Sequence, residues 1–235
     1  MADQSKTDIT FVLDRSGSMA VIRTDTEGGF NQLIADQKAL KADVRVSLMQ
    51  FDDVFEEVYS ALPVEEVPEL RLEPRGFTAL HDAIGITIKK TGERLAKLPE
   101  SERPGKVIFV IMTDGGENAS REYLNKIEPL IKHQRETYNW DFVFIGANQD
   151  AVLTGNGLGI GINLSMAANS AGTAQAYAST SALLWNKAVA PDAIASIAVS
   201  YTEQDQQAQI ALGAVQPVGT FLPNVSYVPF GAPNT

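Results

Sequence analysis

The chain has no cysteine. That excludes disulfides, zinc–thiolate centres and thiol catalysis, and it fits a reducing compartment. Basic residues are scarce: 19 Lys and Arg stand against 29 Asp and Glu, a net charge of −10. Such a field repels phosphate backbones, so nucleic acid is not an expected direct partner; cations and basic protein surfaces are. Long apolar runs are missing too. None approaches the roughly 18 residues that a membrane span needs, so no membrane association is expected. The opening residues Met1 to Lys6 hold no basic-then-apolar leader, and the expected location is cytoplasmic. What remains is ordinary for a globular chain of 235 residues, with 44% hydrophobic and 20% charged residues, long enough to bury one large core.

The pattern within that core alternates. Ile9 to Leu13 is an unbroken apolar run ending at Asp14, the mark of a strand buried on both faces. Gly28-Gly29 is expected to open a helix with Phe30, Leu33, Ile34, Gln37 and Leu40 on its inner face. Val44, Val46 and Leu48 alternate as a second strand. Asp52-Asp53 reads as a turn, and Val54 to Tyr59 returns as an antiparallel edge strand. Between Asp52 and Glu73, eight acids accompany one base, Arg71, which reads as a solvated acidic edge. Thr78 is expected to cap a helix lined by Leu80, Ile84, Ile88 and Leu95 and stopped by Pro99. Lys106 to Thr113 is the most apolar strand, again ending at an acid, Asp114. Ser120 is expected to cap a helix reaching Arg135, with a kink or break at Pro129. Asp141 to Ile145 forms another strand. A turn through Gly155, Gly157, Gly159 and Gly161 leads to a short strand near Ile160 to Leu164, and Thr173 to Lys187 forms a helix with Tyr177, Ser181, Leu184 and Trp185 inward. Trp140 and Trp185 read as core. Strands alternating with helices imply an α/β, doubly wound, mostly parallel six-stranded sheet with helices on both faces and right-handed crossovers.

In such sheets ligands bind beyond the carboxyl ends of the strands, where the strand order reverses. Two strands end there in aspartate. Asp14-Arg15-Ser16-Gly17-Ser18 follows one, Thr113-Asp114-Gly115-Gly116 the other, and Gly76-Phe77-Thr78 lies between. If Asp14 and Asp114 occupy adjacent central strands, Asp14, Ser16, Ser18, Thr78 and Asp114 converge as five oxygen donors. Carboxylates and hydroxyls without nitrogen or sulfur suit a hard cation such as Mg²⁺ and disfavour zinc or copper. Two negative charges roughly balance a dication, so a further anionic ligand has to come from outside.

This constellation resembles the metal-ion-dependent adhesion site of von Willebrand factor type A domains. The flanking text resembles them as well, in Phe11-Val12-Leu13-Asp14-Arg15-Ser16-Gly17-Ser18-Met19 and Val110-Ile111-Met112-Thr113-Asp114-Gly115. The likeness runs roughly from residue 7 to residue 187. It implies the strand order 3-2-1-4-5-6 and a bound Mg²⁺, with Mn²⁺ and Ca²⁺ as substitutes. It implies first-loop ligands Asp14, Ser16 and Ser18, second-loop ligand Thr78, and third-loop acid Asp114, which often acts through water. A protein partner's Asp or Glu would complete the shell. Flanking disulfides and a signal peptide, usual in extracellular adhesive members, are not seen. The chain looks like the compact intracellular or phage-encoded branch. That leaves an AAA+ ATPase or virion proteins as candidate partners, and the virion as an alternative location.

Other readings fit less of the pattern. An aspartyl-phosphate phosphotransferase also presents Asp at a strand end, but it wants a second acid where Ser16 stands. A serine hydrolase lacks its His base and G-x-S-x-G context. No enzyme is therefore expected. A structural or accessory subunit of a phage particle remains the alternative. Arg15 is expected to pack or pair, Glu117 and Asn118 to shape their loop, His81 to pack near the site, and His133 to be exposed. Residues 1–190 read as the domain and 191–235 as a C-terminal extension. From Gln206 to Thr235 that extension has no charged residue, yet it holds Pro217, Pro223, Pro229, Pro233, Phe221, Tyr227 and Phe230. An apolar, aromatic tail of this kind is expected to dock in extended form on its own domain or a neighbour.

Overall fold

The computed structural model describes residues 2–147, 151–189 and 200–215. Six strands form one sheet: β1 (Asp3–Asp14), β2 (Asp43–Phe51), β3 (Phe55–Pro63), β4 (Pro104–Thr113), β5 (Asp141–Ala147) and β6 (Ile162–Met166). Their order is β3-β2-β1-β4-β5-β6. All neighbours run parallel except β3, which pairs antiparallel with β2 at the edge. The order reverses between β1 and β4, as the sequence led one to expect.

Period-two alternation explains how one strand serves two cores. In β1, Ile9, Phe11 and Leu13 enter a cluster with Phe30, Leu33 and Ile34 of helix α1 (Arg23–Ala39) and with Tyr177, Leu183 and Leu184 of α5 (Ser170–Val189). Val12 points the other way. So do Val107, Phe109 and Ile111 of β4. They meet Leu80, Ala83, Ile84 and Ile88 of α2 (Leu80–Ala96) and Ile127 and Ile131 of α3 (Ile127–Tyr138). Trp140 stacks on Phe109 in this second cluster at 5.3 Å, whereas Trp185 is only half-buried.

Several element boundaries differ from expectation. Helix α1 begins at Arg23 without a side-chain cap, so Gly28 and Gly29 lie inside it. A Cβ on Gly29 would come within 2.3 Å of the Tyr177 ring, so glycine here permits the close approach of α5. Gly29→Val is expected to destabilise the fold by about 2–3 kcal/mol through overpacking, read as a lower urea midpoint with unchanged slope. An unchanged midpoint would show that Tyr177 moves aside freely. Helix α3 starts at Ile127, not near Ser120, which places Pro129 in its first turn. Backbone N–H groups there have no helical acceptor, so proline breaks nothing. The glycine series is not one turn: Gly155 and Gly157 belong to a short helix, α4 (Ala151–Gly157), and only Gly159 adopts a positive φ, +80°.

Helix α6 (Glu203–Ala211) lies beyond the point where the sequence pattern weakens. Thr202 and Asp205 form a reciprocal capping box at its start. Its buried glutamines fasten it over the β6 edge. Gln209 accepts from Ala167 N at 3.0 Å and donates to Gly172 O at 2.9 Å, while Gln206 donates to Asn163 O at 2.6 Å. The start of the charge-free segment is therefore helical. Its aromatic part, from Phe221 onward, lies outside the described residues. Among the described residues no helix is long and apolar enough to cross a membrane.

Candidate metal centre

Asp14 ends β1 and is fully buried. Its Oδ1 accepts from Ser16 N at 2.6 Å, which turns the chain back over the strand end. Its Oδ2 accepts from Thr113 Oγ1 at 2.5 Å, across the reversal point on β4. Ser16 Oγ and Ser18 Oγ lie 3.1 Å apart, and Ser18 Oγ donates to Asp114 Oδ1 at 2.6 Å. Thr78 closes the group. A Cβ built on Gly115 would stand 3.3 Å from Thr78 Oγ1 and 3.5 Å from Ser18 Oγ, so both hydroxyls face the same small space. All five residues singled out in the sequence are thus brought together.

The electrostatics are those of two carboxylates held out of water. Burial pushes Asp14 up to about 6, against the opposing hydrogen bonds from Thr113 and Ser16, and nearby Asp114 adds to the rise. Burial raises Asp114 also, opposed by Ser18. A dication here would relieve both. The donors are all oxygen, which fits a hard cation. Among the described residues no three acidic or histidine side chains converge, so hydroxyls and outside ligands have to supply the rest of such a shell.

Loops two and three lock each other. Thr78 is not a helix cap; α2 starts at Leu80 and its flanking Ala79 offers no side-chain bond. The cap comes instead from residues 36 to 40 positions downstream: Thr78 N donates to Asn118 Oδ1, His81 N to Glu117 Oε2 and Asp82 N to Ser120 Oγ, all within 2.9 Å. Asp82 returns the favour by accepting from Arg121 N and Tyr123 N. Burial alone would raise Glu117, yet bonds from His81, Ser120 and Ala119 outweigh it and hold its carboxyl below the usual range. Glu117 and Asn118 therefore shape the loop, as expected.

Loop one is anchored by charge. Arg15 is buried and pairs with Asp52 at 3.0 Å and with Glu56. Arg75 reaches the same Asp52 oxygen at 2.8 Å. Backbone bonds run alongside: Arg15 N to Phe51 O, Arg75 N to Arg15 O, Ala79 N to Asp52 O, and Gly17 N to Gly76 O. Gly76 is required at its φ of +67°, where a Cβ would lie 2.0 Å from Asp53 Oδ1. Asp52 is thus no part of a solvated edge but a buried counter-ion. Sequence reasoning missed it, although it follows the apolar end of β2 just as Asp14 and Asp114 follow theirs. It also passed over Thr113 as a partner of Asp14. A groove of about 380 Å³ between α5 and residues 200–208 lies apart from this centre, lined by Gln175, Ser179, Asn186, Tyr201 and Asp205 among others.

No family model and no curated protein sequence matches the chain. Solved structures do. The ArnB paralog VWA2 from Sulfolobus acidocaldarius matches with a TM-score of 0.50 at 15% identity, over 77% of this chain and 45% of that one. The PilB minor pilin from Streptococcus sanguinis matches at 0.49 and 12% identity, over 78% and 62%. Proximal thread matrix protein 1 from the mussel byssus, with a zinc-occupied MIDAS motif, matches at 0.42 and 17% identity, over 62% and 37%. The match therefore spans less than half the length of the archaeal protein. Identity this low speaks to fold alone, and the archaeal match together with the strand order shows the von Willebrand factor type A fold.

Proposed function

We propose that this chain is a divalent-cation-dependent protein-binding module. Asp14, Ser16, Ser18, Thr78 and Asp114 hold one Mg²⁺, for which Mn²⁺ or Ca²⁺ can substitute, and an Asp or Glu from a partner protein completes the shell. The observation that carries this reading is the convergence of three hydroxyls on two buried carboxylates at the reversal of strand order, built from three loops that are hydrogen-bonded to one another. The cation would supply positive charge where the partner's carboxylate docks. The chain's own residues orient it: Ser16 N and Thr113 Oγ1 fix Asp14, while Asn118 fixes loop two through Thr78 N.

Binding, rather than turnover, is the proposed role. The position two residues after Asp14 carries Ser16, whose Oγ faces Ser18, not the second acid of an aspartyl-phosphate enzyme. The phage-particle reading draws on the C-terminal tail beyond the described residues. No observation on the domain favours it, nor does any select an AAA+ ATPase or the cytoplasm.

Calorimetry with Mg²⁺ is expected to show a single site. Thr78→Ala, which removes one hydroxyl donor but no charge, is expected to weaken cation binding about tenfold while changing the urea midpoint little. Failure of Mg²⁺, Mn²⁺ and Ca²⁺ alike to bind or raise the melting temperature at millimolar concentration would overturn the proposal. So would esterase or phosphatase turnover lost in Asp14→Asn.

A further inference from the structure

The groove of about 380 Å³ between α5 and residues 200–208 has small side chains along it, Ala178, Ala182 and Ala208, and amides at its borders, Gln175, Asn186 and Gln204. Among the described residues that line it, Asp205 alone is charged. That carboxylate is already engaged, by Ser179 Oγ at 2.6 Å and by Thr202 N and Oγ1 at 2.8 Å. Two of the amides are not: among the described residues, Asn186 and Gln204 have no hydrogen-bond partner. The groove thus offers N–H donors and carbonyl acceptors over a floor of small apolar groups. That suits an uncharged extended chain, whose backbone needs both kinds of partner, and it gives nothing to a phosphate. Helix α6 already uses glutamines in this way, where Gln206 holds Asn163 O and Gln209 holds Ala167 N and Gly172 O.

Residues 216–235, outside the described residues, carry no charge. Their prolines lack N–H groups but keep carbonyls that want donors. Phe221, Tyr227 and Phe230, left in water, would make an apolar patch. The route to the groove is short. Ala208 lines it, and α6 ends three residues on, at Ala211. Gly213, at a φ of +103°, and a bond from Ala214 N to Gln209 O at 2.9 Å then turn the chain off the helix axis. Between Gln175 and Asn186 the groove follows about 17 Å of α5, a distance that about five extended residues span. Residues 216–235 suffice for the return and the crossing.

We propose that the segment from Phe221 to Phe230 lies in this groove, with its apolar side chains over Ala178 and Ala182 and its backbone held by Gln175, Asn186 and Gln204. This does not rest on the metal reading. The test uses the full chain. Because it has no cysteine, one introduced cysteine takes a nitroxide label at a single place. Gln207→Cys puts the label on an exposed position of α6 beside the groove, and Glu136→Cys puts it on α3, across the sheet. With the label at 207, the NMR amide signals of residues 221–230 are expected to lose most of their intensity; with the label at 136 they should keep it. Ala178→Trp, which fills the groove from an exposed position, is expected to restore the intensity. Loss from both labels, loss from neither, or loss that persists in Ala178→Trp overturns the proposal. So does loss seen only when the nitroxide and the isotope sit on different molecules, which would give the groove to the segment of a second copy.

Discussion

Asp14→Asn is expected to abolish cation binding and, at the same time, to make the metal-free protein more stable near neutral pH. The carboxyl of Asp14 is raised from 3.8 to about 6 in the folded state, chiefly by burial. An acid raised on folding contributes stability that is fully present below its unfolded value and is lost as pH rises through its folded value. The window is therefore pH 4 to 6, and the shift corresponds to about 3 kcal/mol by pH 7. Asparagine carries no charge and escapes this cost. It also keeps the local bonds: one oxygen for Ser16 N, and an amide that donates to Thr113 Oγ1, whose own proton can turn to Gly115 O at 3.0 Å. In chelator at pH 7 the variant is expected to melt about 5–10 °C above the parent. The gap should close toward pH 4, and saturating Mg²⁺ should narrow it by stabilising the parent alone. A variant less stable than the parent in chelator, or a gap that ignores pH, would falsify the account of Asp14 as a carboxylate destabilised until it meets a cation.

That cost shows why parts of this protein were readable before its structure and parts were not. The central strands were legible because β1 and β4 are buried on both faces, which leaves unbroken apolar text ending in Asp14 and Asp114. The hairpin at Asp52-Asp53 was legible from turn chemistry next to an alternating strand. The metal residues were legible because the chemistry needs particular side chains at short spacing. Helix starts were not. Thr78 looked like a cap and Ser120 like the cap of the next helix, but Ser120, with Glu117 and Asn118, bonds the start of α2 instead, and no local pattern reports which segment a side chain caps across 36 to 40 residues. Gly29 looked like punctuation because its reason, the Tyr177 ring, is far along the chain. Gln206 and Gln209 looked like a polar stretch, yet each satisfies backbone groups on or beside the β6 edge. Asp52 looked like one acid among eight; only tertiary structure shows its two arginines.

Asp52→Ala is expected to be the most damaging single change outside the ligand set. Asp52 is almost wholly buried, and burial alone would raise its carboxyl, but bonds from Arg75, Val54 N and Arg15 outweigh this and hold it below the usual range. The two arginines differ in what they lose with it. Arg75 is mostly exposed and can turn to water; Arg15 is buried, with Nη2 already lacking a partner. Removing Asp52 leaves Arg15 with Glu56 alone, a residue half open to solvent. Stranding a buried charge in this way costs about 3–5 kcal/mol, and urea denaturation should show a loss in that range. Because Arg15 lies between Asp14 and Ser16, cation affinity should fall as well. A double variant, Asp52→Leu with Arg15→Met, replaces the pair by apolar groups and is expected to regain most of the stability. Its cation affinity separates two roles. Recovery along with stability would mean that any well-packed pair holds loop one. Stability without recovered affinity would mean that the ion pair itself sets the angle at which Ser16 and Ser18 face the cation. A loss of less than about 1 kcal/mol in Asp52→Ala, the scale of an exposed pair, would show that Arg15 finds water or Glu56 instead, and that the anchoring of loop one lies in its backbone bonds to Phe51 and Arg75.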